Sequence, residues 1–464
     1  MRSRQLLLSG ICLFVIAVSL LHLRYRDSAR LRFPFHGHDA IDDAASDAWI
    51  WDAPSRFRPQ TPSNDLEDDP CVAFPQSLLS RVQVVLKVGS SEPSARLDAQ
   101  ISSVSKCISN LIIFSDRDQT IGSHRAYDIL ADLPSSYRVN NTDFRAHDGA
   151  PAEGPDKAGL GWRLDRYKFL PMVERAQHMN PTADWFVFME ADTYIVWDNL
   201  FRLLDHFNPS VSLYMGSPSP GRAGKDGKAT WFAFGGTGIV LSSAAIDKLV
   251  ARETGPYGEF TQPSLTEKYE DVVRSDPCGD SVLGWALYEA GVELSGLWPL
   301  FNPHPLYSIP FGDAYWCQPI ISTHRSSPDE MTALSKWETE RGWTKPLLYA
   351  DVFNLLQLGS FSHLSDWSNA DFHGFGGEPS SPAHASFEAC AQACHDHPEC
   401  FQYTYDSSGL CTFVRSIRFG LKHVDPAGKV QLSSGWDTDK IARWATEHTC
   451  ENPVWVKPSL TRIF

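Results

Sequence analysis

Short runs of β-branched and aromatic residues, Arg81 to Val88, Leu111 to Ser115 and Trp185 to Met189, alternate with stretches of helical periodicity. This alternation predicts an α/β fold in which a sheet is covered on both faces, with a ligand expected at the carboxyl ends of the strands. Length is the second observation: 464 residues exceed one ordinary core, so two folded units and a tail are expected. The third is a change of composition after Trp337 to Leu358, where His373 to Pro382 (HGFGGEPSSP) reads as a Gly, Pro and Ser linker. A domain boundary is drawn near Asp371, within a linker of residues 359–382. Beyond it, Ala389 to Val414 holds a helix-like stretch with Cys390 and Cys394 one turn apart and a hairpin-like pair of runs, so a small disulfide-rich α+β unit is predicted over 383–450, with a tail over 451–464.

Each element of the body follows from its pattern. The three apolar runs read as buried strands. Asp165 to Gln177 reads as a helix, with Leu164, Phe169, Leu170 and Val173 supplying its apolar face. A second helix is expected after Ser242 or Ser243, either of which can cap it, and a third after Asp280, where Val282, Leu283, Ala286 and Leu287 share a face. No repeat of fixed period is present.

Composition narrows the function classes. A formal charge of −15 spread along the chain provides no basic footprint, which disfavours nucleic-acid binding. Leu6 to Leu23 is an almost unbroken apolar run flanked by Arg2, Arg4, Arg24 and Arg26. It is long enough to cross a hydrocarbon core of roughly 30 Å, so residues 1–5 are expected as a cytosolic tail, 6–23 as a signal anchor and 24–70 as a stem. A cleaved signal peptide is the competing reading. Apart from Cys12 in that run, the cysteines gather most densely between Cys390 and Cys411, as in oxidised extracytoplasmic modules. A zinc site is the alternative, but no His partners stand at ligand spacing. With Asn140 in an acceptor sequon, a single-pass type II protein of the Golgi or another secretory membrane is expected.

Four segments carry chemistry. In Asp184 to Leu204 (DWFVFMEADTYIVWDNLFRLL) an apolar strand runs into Glu190-Ala191-Asp192, and strand alternation turns both carboxylates to one side. With the oxygens of a diphosphate they would make a hard site for Mn²⁺ or Mg²⁺, the arrangement that a nucleotide-sugar transferase requires. Gly235-Gly236-Thr237-Gly238 either lets backbone approach a substrate or makes a tight turn. Asp280 is either a helix cap or a general base at the mouth of the crevice. His324, ending YWCQPIISTHR, is either structural or the last metal ligand.

These segments, together with WRLDRYKFLP from Trp162 to Pro171, FGGTGIVLS and CGDSVLG, resemble glycosyltransferase family 31, its Fringe and core 1 galactosyltransferase branch in particular, over about Arg81 to Arg341. The resemblance implies a GT-A type nucleotide-sugar transferase domain over 71–358 and an inverting transfer from a UDP-sugar with Mn²⁺. The product expected is a β-1,3-linked hexose, galactose or a related sugar, on a glycan or glycoprotein acceptor. It implies Glu190, Asp192 and His324 as metal ligands, Asp280 as catalytic base, and Ser115, Asp116, Asp165 and Lys168 on the donor, with Gly235, Gly236 and Trp316 toward the acceptor. The family's run of Asp is here Glu190-Ala191, which keeps the charge on a longer arm. A transferase-like binding protein with a damaged metal site is the rival reading. The segment CAQACHDHPECFQYTYDSSGLC resembles a PAN/apple-like module, which binds carbohydrate or protein. The expected pairings are then Cys390 with Cys411, Cys394 with Cys400, Cys71 with Cys107 and Cys278 with Cys317. Cys450 is left free or joined to another chain, as in a homodimer.

Overall fold

A computed structural model describes residues 70–460, except 74–75, 150–158, 226, 313–314, 342, 371–373 and 426. The expected cytosolic tail and anchor, and the stem up to residue 69, lie outside these residues. No helix among the described residues is long and apolar enough to cross a membrane.

The body strands are β1 (Val82–Lys87), β2 (Leu111–Ser115), β3 (Gln119–Ile121), β4 (His124–Asp128), β5 (Trp185–Glu190), β6 (Tyr194–Ile195), β7 (Tyr214–Gly216), β8 (Pro218–Ala223), β9 (Ala229–Ala233), β10 (Ile239–Ser242), β11 (Leu294–Gly296) and β12 (Ser322–Thr323). One eight-stranded sheet runs β11-β7-β10-β5-β1-β2-β4-β3, and β6 with β12 and β8 with β9 make two-stranded ribbons. The central strands β5, β1, β2 and β4 are parallel, as the α/β reading requires. Every residue of β1 is buried, which explains why these strands read as continuous apolar runs and not as alternation.

The body helices used below are α1 (Thr142–Gly149), α2 (Leu160–Asp165), α3 (Phe169–Met179), α4 (Trp197–His206), α5 (Ser243–Val250), α6 (Gly279–Glu289) and α7 (Pro328–Arg341). Leu170 and Val173 of α3, Ile246 of α5, and Val282 and Leu287 of α6 share one core with Phe186 and Phe188 of β5. Ser242 caps α5, its side chain accepting from the Ala245 amide. The single helix expected over Asp165 to Gln177 is interrupted at Arg166–Lys168. Pro171 supplies the reason: in an unbroken helix its ring would clash with the carbonyl one turn back, whereas in the first turn of α3 its missing N–H costs nothing.

The C-terminal unit contains β13 (His363–Ser365), β14 (Trp367–Ser368), β15 (Gly374–Gly376), α8 (Phe387–Asp396), β16 (Gln402–Asp406), β17 (Leu410–Val414), β18 (Leu421–Lys422), β19 (Leu432–Trp436) and α9 (Thr438–Glu447). Five of its strands form the sheet β13-β19-β16-β17-β15. Residues 359–382 are therefore not a bare linker. Gly374–Gly376 pairs with β17 as an edge strand, where glycine is tolerated, and composition alone could not show that pairing. Cys390–Cys411 and Cys394–Cys400 are bonded inside this unit, and Cys71–Cys107 inside the body.

The expected Cys278–Cys317 bond is absent. Cys317 is bonded to Cys450, with Cα atoms 5.4 Å apart, and Cys278 is an exposed free thiol. An intramolecular partner for Cys450 also removes the basis for a homodimer through it. The chain returns from the C-terminal unit to the body here, and the Val454 amide donates to the Cys317 carbonyl at 2.9 Å. Trp316 belongs to this junction and not to a substrate crevice: it is buried, edge-on to Phe353 at 5.1 Å and Trp444 at 4.7 Å, with its indole N–H on the His448 carbonyl.

Replacing Cys450 by Ser opens a crosslink spanning 133 residues and should lower stability by about 2–5 kcal/mol, read from denaturant midpoints. An unchanged midpoint would show that the aromatic contacts alone hold the junction.

Candidate active site

Strand register assembles the site. In the β1–β5 pairing Lys87 lies opposite Glu190, so the two strands deliver an ammonium and a carboxylate to the same carboxyl-end edge of the sheet. Lys87 Nζ stands 3.0 Å from Glu190 Oε1, contacts Asp165 at the end of α2, and lies 4.4 Å from the centre of the Phe169 ring. Burial alone would lower the Lys87 pKa, but the two carboxylates more than offset it and hold the ammonium protonated. Burial pushes Glu190 up to about 7, against Lys87 and with the like charges of Asp165 and Asp192.

A tight turn after Glu190 brings up the remaining ligand candidates. Thr193, fully buried, accepts from the Glu190 amide at 3.1 Å and donates to the Gly236 carbonyl at 2.8 Å, tying the acidic turn to the glycine segment. β6 then pairs antiparallel with β12, Tyr194 opposite Thr323, which carries His324 alongside the acidic turn. His324 Nε2 is 3.6 Å from Asp192 Oδ1, and the potential ligand atoms of Glu190, Asp192 and His324 all lie within 4.8 Å of one another. Burial lowers the His324 pKa, which favours the neutral imidazole that a metal needs. Two carboxylates and an imidazole fit a divalent cation such as Mn²⁺.

The glycines are required by close approach. A Cβ at Gly236 would stand 2.2 Å from His324 Nε2, and one at Gly235 would lie 3.0 Å from both Glu190 Oε1 and the Phe169 ring. The segment is thus both a short turn and the surface on which the imidazole lies.

Asp280 is the second residue of α6, and its surroundings bear on both readings open for it. The N-cap position is Cys278, which has no side-chain cap, while Asp276 accepts from the Cys278 amide at 3.0 Å and the Ser281 hydroxyl at 2.9 Å. Asp280 turns one oxygen out of the helix to accept from the Gly235 amide at 2.8 Å, while the other accepts from the Ser281 amide. Its pKa is raised, by burial first, with those amides and Lys87 opposing. A buried carboxylate with a raised pKa at the mouth of a crevice is equipped to take a proton.

Three expected donor contacts lie behind the crevice. Lys168 is 1% exposed and spends its ammonium on the Val88 carbonyl and Asp116 Oδ1, both at 2.9 Å. Asp116 also accepts from Ser90; burial would raise its pKa, but Lys168 and Ser90 hold it well below the usual carboxylate range. Ser115 is buried and accepts from Gln119 at 2.9 Å. Together they brace the ends of β1 and β2. The cation that meets the acids is Lys87, which sequence reasoning passed over. Its signal was a lysine closing an apolar strand, a costly position without a carboxylate partner. Asn140 is exposed in a left-handed conformation, while Asn141 is buried against the Tyr167 hydroxyl.

An open α/β sheet with a Glu, Asp and His constellation at its carboxyl edge defines a class of ligand-binding α/β domain. Comparison with known proteins narrows it: residues 166–292 match the family described as Fringe-like, a stretch that includes Glu190, Asp192, Gly235, Gly236 and Asp280. Over 77 residues the chain is 38% identical to Fringe glycosyltransferase of Drosophila melanogaster, covering 14% of this chain and 19% of that protein. The chain thus spans about a fifth of the length of the curated relative it matches. Among solved structures it is similar to a glycosyltransferase involved in the glycosylation of the major capsid of PBCV-1, at 11% identity over 55% of this chain and 99% of that one, with a TM-score of 0.25. A superposition at that level has no bearing on the fold.

Gly236→Ala would drive a methyl group into the imidazole and should weaken Mn²⁺ binding by about tenfold or more while the chain stays folded, as titrated by electron paramagnetic resonance. Undiminished binding would remove His324 from the ligand set.

Proposed function

We propose that this chain is an inverting glycosyltransferase that moves a hexose from a UDP-sugar to a hydroxyl of an acceptor sugar. The observation that carries the reading is the joining of two devices by one glycine turn. The Glu190, Asp192 and His324 cluster and the buried base Asp280 both contact Gly235-Gly236, and all but His324 lie within the Fringe-like stretch. A β-1,3 linkage and galactose or a related hexose follow from the resemblance to family 31. So does Mn²⁺, whereas the secretory membrane location rests on the apolar run Leu6 to Leu23, the cysteine density and the Asn140 sequon, and the PAN-like character of the C-terminal unit on the segment CAQACHDHPECFQYTYDSSGLC.

Glu190, Asp192 and His324 would hold the cation, which supplies positive charge for the diphosphate as it departs. Lys87 holds Glu190 in place and opposes the rise that burial imposes on its pKa. Asp280, held by the Gly235 and Ser281 amides, accepts the proton of the acceptor hydroxyl as that oxygen bonds to the anomeric carbon. The bond from that carbon to the phosphate oxygen breaks, and UDP leaves with the electron pair. Inversion follows from a single displacement from the opposite face. Base assistance of this kind contributes about 10²–10⁴ in rate.

The test is UDP release by the full-length chain over a panel of UDP-sugars, with Mn²⁺ and with chelator. Metal-dependent release from one donor is expected; silence across the panel in folded protein would favour a binding protein. Asp280→Asn should cut transfer by at least about 10²-fold with UDP binding unchanged. Because burial raises the Asp280 pKa and the base works as carboxylate, transfer should rise with pH through that raised value. A rate flat across the acid range would take Asp280 out of the role.

A further inference from the structure

Helix α2 carries one residue that the chemistry above leaves idle. Trp162 is 65% exposed, an unusual state for the largest apolar side chain. The rest of the helix is accounted for. Leu164 is buried in the core, Arg163 and Arg166 pair with Asp143 at 3.1 and 2.6 Å, and Asp165 pairs with Lys87.

Spacing fixes where the indole stands. Trp162 precedes Asp165 by three residues and Arg166 by four, so it shares their face one helical turn earlier. That face borders the base. A Cβ on Gly279 would come within 2.8 Å of Arg166 Cα, so the end of α2 abuts the start of α6, and the next residue is Asp280. The indole thus stands about one helical turn from the contact between α2 and α6, beside a rim bearing Asp165, Asp276 and Asp280.

We propose that Trp162 is the platform of an acceptor subsite for a neutral saccharide, whose pyranose ring lies on the indole while one hydroxyl reaches Asp280. The proposal rests on the transferase reading and adds the class of acceptor to it. The chemistry is that of an apolar sugar face, lined with C–H groups, meeting an aromatic ring, while the ring hydroxyls stay in water. Lys87 and Arg222 pair with Asp165 and Asp276, while Asp280 accepts from amides, so the rim keeps a negative balance that disfavours sialylated and uronate-bearing saccharides.

Full-length chain saturated with UDP and Mn²⁺ would be applied to immobilised saccharides, neutral ones ending in galactose or N-acetylhexosamine and their sialylated or uronate counterparts. UDP binding would be measured separately by calorimetry. The wild type should bind neutral saccharides, Trp162→Ala should lose about tenfold or more, and Trp162→Phe should keep most of the affinity, all with unchanged UDP binding. Should the Ala variant fold poorly, the Phe variant and a Trp162→His variant, ranked against the wild type, carry the comparison. Equal affinity in wild type and Ala variant overturns the subsite. So does a wild type that binds UDP but no saccharide, or acidic saccharides only. A wild type that binds no UDP sinks the transferase reading and this inference with it, and the calorimetry tells that failure from the others.

Discussion

The crevice depends on one ion pair, Lys87 with Glu190, made possible by the register of β1 against β5. Four carboxylates, Asp165, Glu190, Asp192 and Asp280, crowd this end of the sheet, and among the described residues Lys87 is the one lysine that pairs with them. Packing so much negative charge at the edge of a core is costly, and the single ammonium offsets only part of it. The remainder is what makes the place attractive to a divalent cation. A slip of one residue in either strand would turn Lys87 and Glu190 to opposite faces and dissolve the arrangement.

Much of this was legible because it is local. An apolar strand running into Glu190-Ala191-Asp192 announces carboxylates at a strand end, and the apolar face after Asp280 announces a helix start. What stayed hidden is non-local. Nothing near Lys87 in the chain says that it faces Glu190; only strand pairing does. Lys168 looked like the donor-facing cation because it sits in a matching motif, yet the break that Pro171 imposes between α2 and α3 turns it into the interior, onto Asp116. Trp316 was expected toward the acceptor and Cys317 bonded to Cys278. Their partners, Trp444 and Cys450, lie in another unit altogether.

The two units are joined with more than a tether. Beside the disulfide, the Phe311 and Ile417 backbones form a bridge, and Tyr307 packs on Phe419 at 5.4 Å. The strands of residues 363–376 belong to the C-terminal sheet, so the chain passes from one unit to the other with little slack. The C-terminal unit is thus fastened to the body at several points, in contrast to a module on a flexible leash.

The staple between Cys317 and Cys450 also bears on how the protein is made. Between the two lies the entire C-terminal sheet, so during synthesis Cys317 emerges long before its partner exists. Through that interval the nascent body holds two open thiols, Cys317 and Cys278, while Cys390, Cys394, Cys400 and Cys411 emerge and find their own partners. The observed pairing requires the two to stay apart until the last cysteine arrives. A chain crosslinked too early would have no thiol left to fasten its C-terminal unit, and an oxidoreductase would have to release it first.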